Sequence, residues 1–169
     1  MTIIGRDRPG LVESVARLVA AHGGNWLESR MSRLGGHFAG ILRVEVPTGA
    51  AVALTAALAG LEAVGLAVTV HEDLSAAAPA APARTALLEI VGHDRPGIVH
   101  QISAALASQG VNVEDLETER ASAAMSGELL FKARANLAIP ATASVEALRS
   151  QLEKIAADLI VDLTFQEVV

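Results

Sequence analysis

Two short runs in this chain set chemistry-bearing side chains at a turn. Gly5-Arg6-Asp7-Arg8-Pro9-Gly10-Leu11-Val12 recurs 87 positions later as Gly92-His93-Asp94-Arg95-Pro96-Gly97-Ile98-Val99, with six identities in eight. Each run leads from an apolar, strand-like stretch into a helix-like one. The aspartate therefore lies beside a helix N-terminus, where free backbone N–H groups and the helix dipole favour an anion. Pro9 and Pro96 suit the first helical turn, and Gly10 and Gly97 allow a ligand to approach the backbone. A phosphate loop needs more glycines and a Lys-Ser/Thr pair, which neither run has, so the expected anion is the carboxylate of a small molecule. Asn25 and Asn112 open the second strand of their copies, each 18 residues after the turn aspartate, and are read as lying at the same end of the sheet. Carboxylate, free amides and carboxamide together suit an α-amino acid zwitterion. The plainer readings stay open here. Asp7 and Asp94 can be simple helix caps, and Asn25 and Asn112 can be turn residues taking an unusual backbone angle after glycine.

The elements that must hold these residues repeat as well, which marks a duplication. The 87-residue offset aligns Gly23 with Gly110 and Asn25 with Asn112, whereas Pro47 aligns with Pro140 at an offset of 93. Six residues are therefore added in the second copy, and they are assigned to Ala121 to Gly127, opposite the tight Leu34-Gly35-Gly36-His37 turn. Leu87 to Val91 reads as an opening strand, with Thr2 to Ile4 its counterpart, shortened at the start of the chain. Leu11, Val12, Val15, Leu18 and Val19 fall at helical spacing, as do Ile98, Val99, Ile102, Ala105 and Leu106. Trp26 to Arg33 and Phe38 to Val46 read as a hairpin. A second helix (Leu54, Leu58, Leu61; Val145, Leu148, Leu152, Ile155) and a last strand (Val68, Val70; Val161, Leu163, Phe165) complete each copy. The order is βαββαβ twice, an α+β plan of two ferredoxin-like domains, each an antiparallel four-stranded sheet with two helices on one face. Residues 1–72 form the first domain and 85–169 the second, joined by an Ala/Pro-rich linker over 73–84.

Composition narrows the function classes. The 169 residues are 51% hydrophobic but 2% aromatic, with 33 alanines, so the core is aliphatic. The absence of cysteine removes disulfides, thiolate metal sites and a cysteine nucleophile, and agrees with a cytoplasmic address. A net charge of −6 has the wrong sign for a protein that neutralises phosphates, so no direct nucleic-acid binding is expected. Residues 1–72 hold six basic and six acidic side chains, while 85–169 hold six and twelve. Ala50 to Val70 carries Thr55, Gly60, Glu62 and Gly65, and its leucines recur on one helical face, so no membrane segment is read. The N-terminus has no signal-peptide pattern. His22, His37, His71, His93 and His100 lack metal-ligand spacing, no Gly-x-Ser-x-Gly elbow occurs, and Glu114, Asp115, Glu117 and Glu119 read as a solvated strand face. Neither an enzyme nor a cofactor is expected. Trp26, next to Asn25, is read as core or interface packing in preference to a ligand cover.

The chain resembles the ACT domain family, regulatory amino-acid-binding modules of βαββαβ fold, across both copies. The resemblance implies ligand contacts from the turn aspartate and from the asparagine opening the second strand. The candidate ligand-binding set is therefore Asp7, Pro9, Gly10, Leu11 and Asn25, with Asp94, Pro96, Gly97, Ile98 and Asn112. Two tandem copies, with Ser29-Arg30-Met31-Ser32-Arg33-Leu34-Gly35-Gly36-His37-Phe38-Ala39-Gly40 in the first hairpin, are similar to the glycine cleavage system transcriptional repressor family. That similarity implies a small amino acid such as glycine as ligand and a separate transcription regulator as partner, with pairing of the copies within a chain or in a homodimer. The alternatives are an adaptor with vestigial ligand sites and a regulatory subunit of an amino-acid metabolic enzyme. Formyltetrahydrofolate deformylases begin with a similar module but continue into a catalytic domain that this sequence does not contain.

Overall fold

In each half of the chain, apolar residues four apart force a helix onto a sheet. In the computed structural model, which describes residues 1–72, 83–122 and 128–168, the chain divides into two units, Met1–Ala76 and Ala77–Val169. The first unit runs β1 (Thr2–Arg6), α1 (Leu11–Ala21), β2 (Asn25–Leu34), β3 (His37–Glu45), α2 (Ala51–Ala59) and β4 (Leu66–Thr69). The second runs β5 (Ala83–His93), α3 (Ile98–Ser108), β6 (Asn112–Ser122), β7 (Leu129–Pro140), α4 (Val145–Leu159) and β8 (Val161–Val168). The strand orders are β2-β3-β1-β4 and β6-β7-β5-β8, antiparallel throughout. This is the expected βαββαβ plan in both units. β5 begins at Ala83, so Ala83 and Arg84 belong to a strand and not to the linker; residues 73–82 lie outside the described residues.

One face of each sheet carries both helices and the core. In the first unit, Leu11, Val15 and Val19 of α1 and Leu54 and Leu58 of α2 are buried over Ile3, Leu42 and Leu66. In the second, α3 and α4 bury Ile98, Ile102, Leu106, Leu148 and Leu152 over Leu88, Ile90, Leu137 and Ile139. Among the described residues the first cluster has nine buried members and the second has eighteen. Nine partly buried hydrophobics pack against the first cluster and four against the second, so more of the first core lies at its margin.

The two hairpins follow the same register with different loops. Leu34 pairs His37 across Gly35 and Gly36, both at positive φ (58° and 79°), which glycine adopts at little cost in a two-residue turn. The equivalent pair in the second unit is Ala121 and Leu130, so the six extra residues fall between these two strand ends. Of the assigned insertion, 123–127 lie outside the described residues. β2 and β6 share a bulge that the sequence does not announce, after Trp26 and after Val113.

Candidate functional site

The β1–α1 turn of the first unit and the β5–α3 turn of the second are built the same way. Asp7 N–H donates to the Gly36 carbonyl at 3.0 Å and Asp94 N–H to the Leu129 carbonyl at 3.1 Å, tying each turn to the hairpin end. The N-cap residues are Gly10 (φ 88°) and Gly97 (φ 94°), and neither helix has a side-chain cap. A methyl group at Gly10 would have nothing within 4 Å, so its glycine is required by backbone angle and not by crowding. Pro9 and Pro96 precede the N-caps, which places them outside the first helical turn where the sequence put them. Leu11 and Ile98 are 3% and 2% exposed. Their side chains are core, and only their backbone N–H groups face the turn, with those of the next two residues of each helix.

The aspartates are not helix caps. Asp7 Oδ2 lies 2.8 Å from Arg33 Nε, and Asp94 Oδ2 lies 2.8 Å from Arg120 Nε. Both carboxylates are about one-third exposed and both arginines more than half, so each pair is a surface ion pair worth roughly 0.5 kcal/mol to stability. Arg33 and Arg120 were missed in the sequence reading, although they too are 87 positions apart. Each stands directly opposite a phenylalanine, Phe38 or Phe131, which puts it on the helix-bearing face of its sheet. Aspartate, arginine and the free amides of a helix start thus meet at one end of each unit. Together they offer one acceptor and several donors, a set matched to a zwitterion.

The asparagines lie elsewhere. Asn25 pairs Glu45, whereas the turn sits by Gly36 and Arg33; eight residues of strand separate Asn25 from Arg33, about 25 Å. Asn112 and Arg120 are separated in the same way. The expectation that asparagine and aspartate share a sheet end is therefore corrected: β1 and β2 run in the same direction, so the end of one is level with the end of the other and far from its start. Asn25 and Asn112 do not take an unusual backbone angle either. That role falls to Gly23 and Gly110, at φ 69° and 67°. Trp26 is half-buried against the first core, as packing requires.

The remaining polar candidates are engaged locally. His22 Nδ1 lies 2.8 Å from the Leu18 carbonyl, His37 Nδ1 3.3 Å from the Gly35 carbonyl, and His93 Nδ1 4.0 Å from Glu128. Glu119 is bonded to Lys132 at 3.2 Å on the strand face. Among the described residues no helix is long and apolar enough to cross a membrane.

Comparison with known proteins agrees with this architecture. A solved structure of an unknown protein from Galdieria sulphuraria superposes with a TM-score of 0.81 at 30% identity, covering 99% of this chain and 96% of that one. A second, described as a "putative glycine cleavage system transcriptional repressor", superposes at 0.67 with 17% identity, covering 99% and 94%, and shares the fold. No curated protein matches. The ACT domain profile matches residues 1–71 and again 84–166, the two stretches that carry the duplicated turn, and the chain belongs to the ACT domain family.

Proposed function

We propose that this protein is a non-enzymatic amino-acid sensor that binds a small amino acid at its β1–α1 and β5–α3 turns and acts on a separate transcription regulator. ACT domains and the fold shared with a putative glycine cleavage repressor support a regulatory, amino-acid-sensing role. The observation that carries the site is the duplicated aspartate–arginine pair at a helix start, 2.8 Å in each unit. In the proposed complex the ligand carboxylate meets the first amides of α1 or α3 and the arginine Nη groups. Its ammonium meets the remaining oxygen of Asp7 or Asp94. Pro9, Gly10 and Leu11, with Pro96, Gly97 and Ile98, shape that backbone. Asn25 and Asn112 are left outside the site of their own unit. An acidic chain acts on transcription through a partner protein, without affinity for duplex DNA of its own.

A second reading is favoured by the same pairs: each aspartate already has a cationic partner, as in an adaptor whose turns are self-satisfied. Calorimetric titration of the wild type, Asp7→Ala and Asp94→Ala with glycine, serine and other small amino acids separates the two. Loss of a charge-assisted hydrogen bond weakens binding about tenfold to hundredfold. Variants that bind as the wild type does would reduce the turn to an ion pair and remove the site. Weakening by Asn112→Ala as large as that by Asp94→Ala would overturn the single-turn placement. A mobility shift of promoter DNA by the purified protein at micromolar concentration would overturn the indirect route to transcription.

A further inference from the structure

The second unit contains an apolar cleft of about 40 Å³ between α3 and the sheet. Ile98, Ile102 and Leu106 of α3 form one wall, Val113 and Leu116 of the edge strand β6 another, and Ala133 and Ala135 of β7 lie between. Its volume is that of about three water-sized groups, and its lining offers them almost no polar partner, so it suits three or four carbon atoms and not water. The duplication explains why it is there. The first unit has Trp26, Met31 and Leu42 where the second has Val113, Thr118 and Ala135. Met31 lies across Gly40, so closely that a methyl group there would be 2.5 Å from its Cγ. The corresponding pair in the second unit, Thr118 opposite Ala133, has no long side chain to cover the sheet.

An ion pair stands beside one end of the cleft. The cleft extends from Ile98, the first residue of α3, to Leu106, about 12 Å along the helix. At the Ile98 end, Phe131 lines it, and Arg120 stands directly opposite Phe131 with its Nε on Asp94. A guanidinium has two further nitrogens for a carboxylate. We infer that this cleft, within the second unit alone, takes the branched aliphatic group of a small carboxylate held at Arg120, as leucine, isoleucine or valine would present it. The inference rests on the proposed sensing site only for the ligand's amino group. The aliphatic contact stands without it, and a deaminated analogue tests it separately. The corresponding space in the first unit, occupied by Met31, Leu42 and Trp26, does not take such a group.

Calorimetry on the full chain with glycine, valine, isoleucine, leucine and 4-methylvalerate provides the test. The wild type is expected to bind leucine or isoleucine about tenfold or more tightly than glycine, the order that burial of several carbons gives. Thr118→Met, at an exposed position, restores the first unit's cover and is expected to remove that preference while leaving glycine binding unchanged. Ala135→Leu, which restores the residue equivalent to Leu42, does the same from the cleft floor, with circular dichroism reporting that each variant is folded. Binding of glycine with no preference for branched ligands overturns the cleft inference and leaves amino-acid sensing intact. Binding of 4-methylvalerate but of no amino acid supports the cleft and overturns amino-acid sensing. Binding of none of the five overturns both, and an unchanged leucine affinity in Thr118→Met and Ala135→Leu overturns the cleft.

Discussion

The two units keep the same turn and the same placing of both helices on one face of the sheet, but differ most in charge on the face their sheets leave open. In the first unit that face is formed by Thr2, Ile4, Arg30, Ser32, Ala39, Ile41 and Ala67. The equivalent positions in the second are Glu89, Val91, Glu117, Glu119, Lys132, Arg134 and Asp162. Ile4 and Ile41 are 53% and 66% exposed, while Lys132 reaches Glu119 at 3.2 Å and Arg134 reaches Glu89 at 3.8 Å. Part of the acidic surplus of the second copy thus sits on its open face, away from the duplicated turn. After duplication, packing and turn geometry held one side of each sheet while solvent allowed the other to change.

The largest effect expected from this contrast is in the cores. Leu58→Ala empties a site that is 1% exposed in the unit with nine buried core residues, at about 3 kcal/mol. Trp26 is the sole tryptophan and belongs to that unit, so its emission reports the loss as an early melting transition. Leu148→Ala, fully buried in the larger core, should leave Trp26 emission at low temperature unchanged; early loss of that emission would show that the units do not differ as their cores imply.

Next in size are substitutions at glycine. Gly5→Ala would set its methyl 2.5 Å from the Gly65 carbonyl oxygen, a backbone atom, and should cost about 2 kcal/mol in urea unfolding. Gly49→Ala, with open space around it, should be within about 0.5 kcal/mol of wild type. A smaller difference is built into the residue before the last strand. Gly65 takes φ 80° with ease, but the second unit has Ile160 there at φ 55°, 65% exposed. Ile160→Gly should stabilise the second unit by about 1 kcal/mol, and Gly65→Ile should destabilise the first by a similar amount. Smallest is the charged ladder: a double-mutant cycle of Glu119→Gln and Lys132→Met should give a coupling of about 0.5 kcal/mol that fades in high salt.

Much of the fold is legible in the sequence because its signals are local. Helix spacing at Leu11, Val15 and Val19, the Gly35-Gly36 turn, and the alternation of Val161, Leu163 and Phe165 each need only a few neighbouring residues. The site was legible only in part. Asp7 and Asp94 declare themselves through their motif, but the arginines that engage them lie 26 residues away on another strand, and only the sheet register brings them close. The same register separates Asn25 from Asp7, since the direction of β2 relative to β1 is a property of the assembled sheet. Repetition was the available signal for Arg33, because it recurs as Arg120 at the offset of the motif.

The first glycine of that motif is held in place by its neighbour. At Gly5 a side chain would strike the strand-start carbonyl of Gly65, and at Gly92 it would strike Val161. Purifying selection on folding alone therefore preserves this position, whether or not a copy retains a ligand. A search for sensing units among duplicated chains of this kind gains little discrimination from the glycine. On the proposed reading, the informative characters are the paired acid and base, Asp7 with Arg33 and Asp94 with Arg120, and their joint loss would mark a copy without the site.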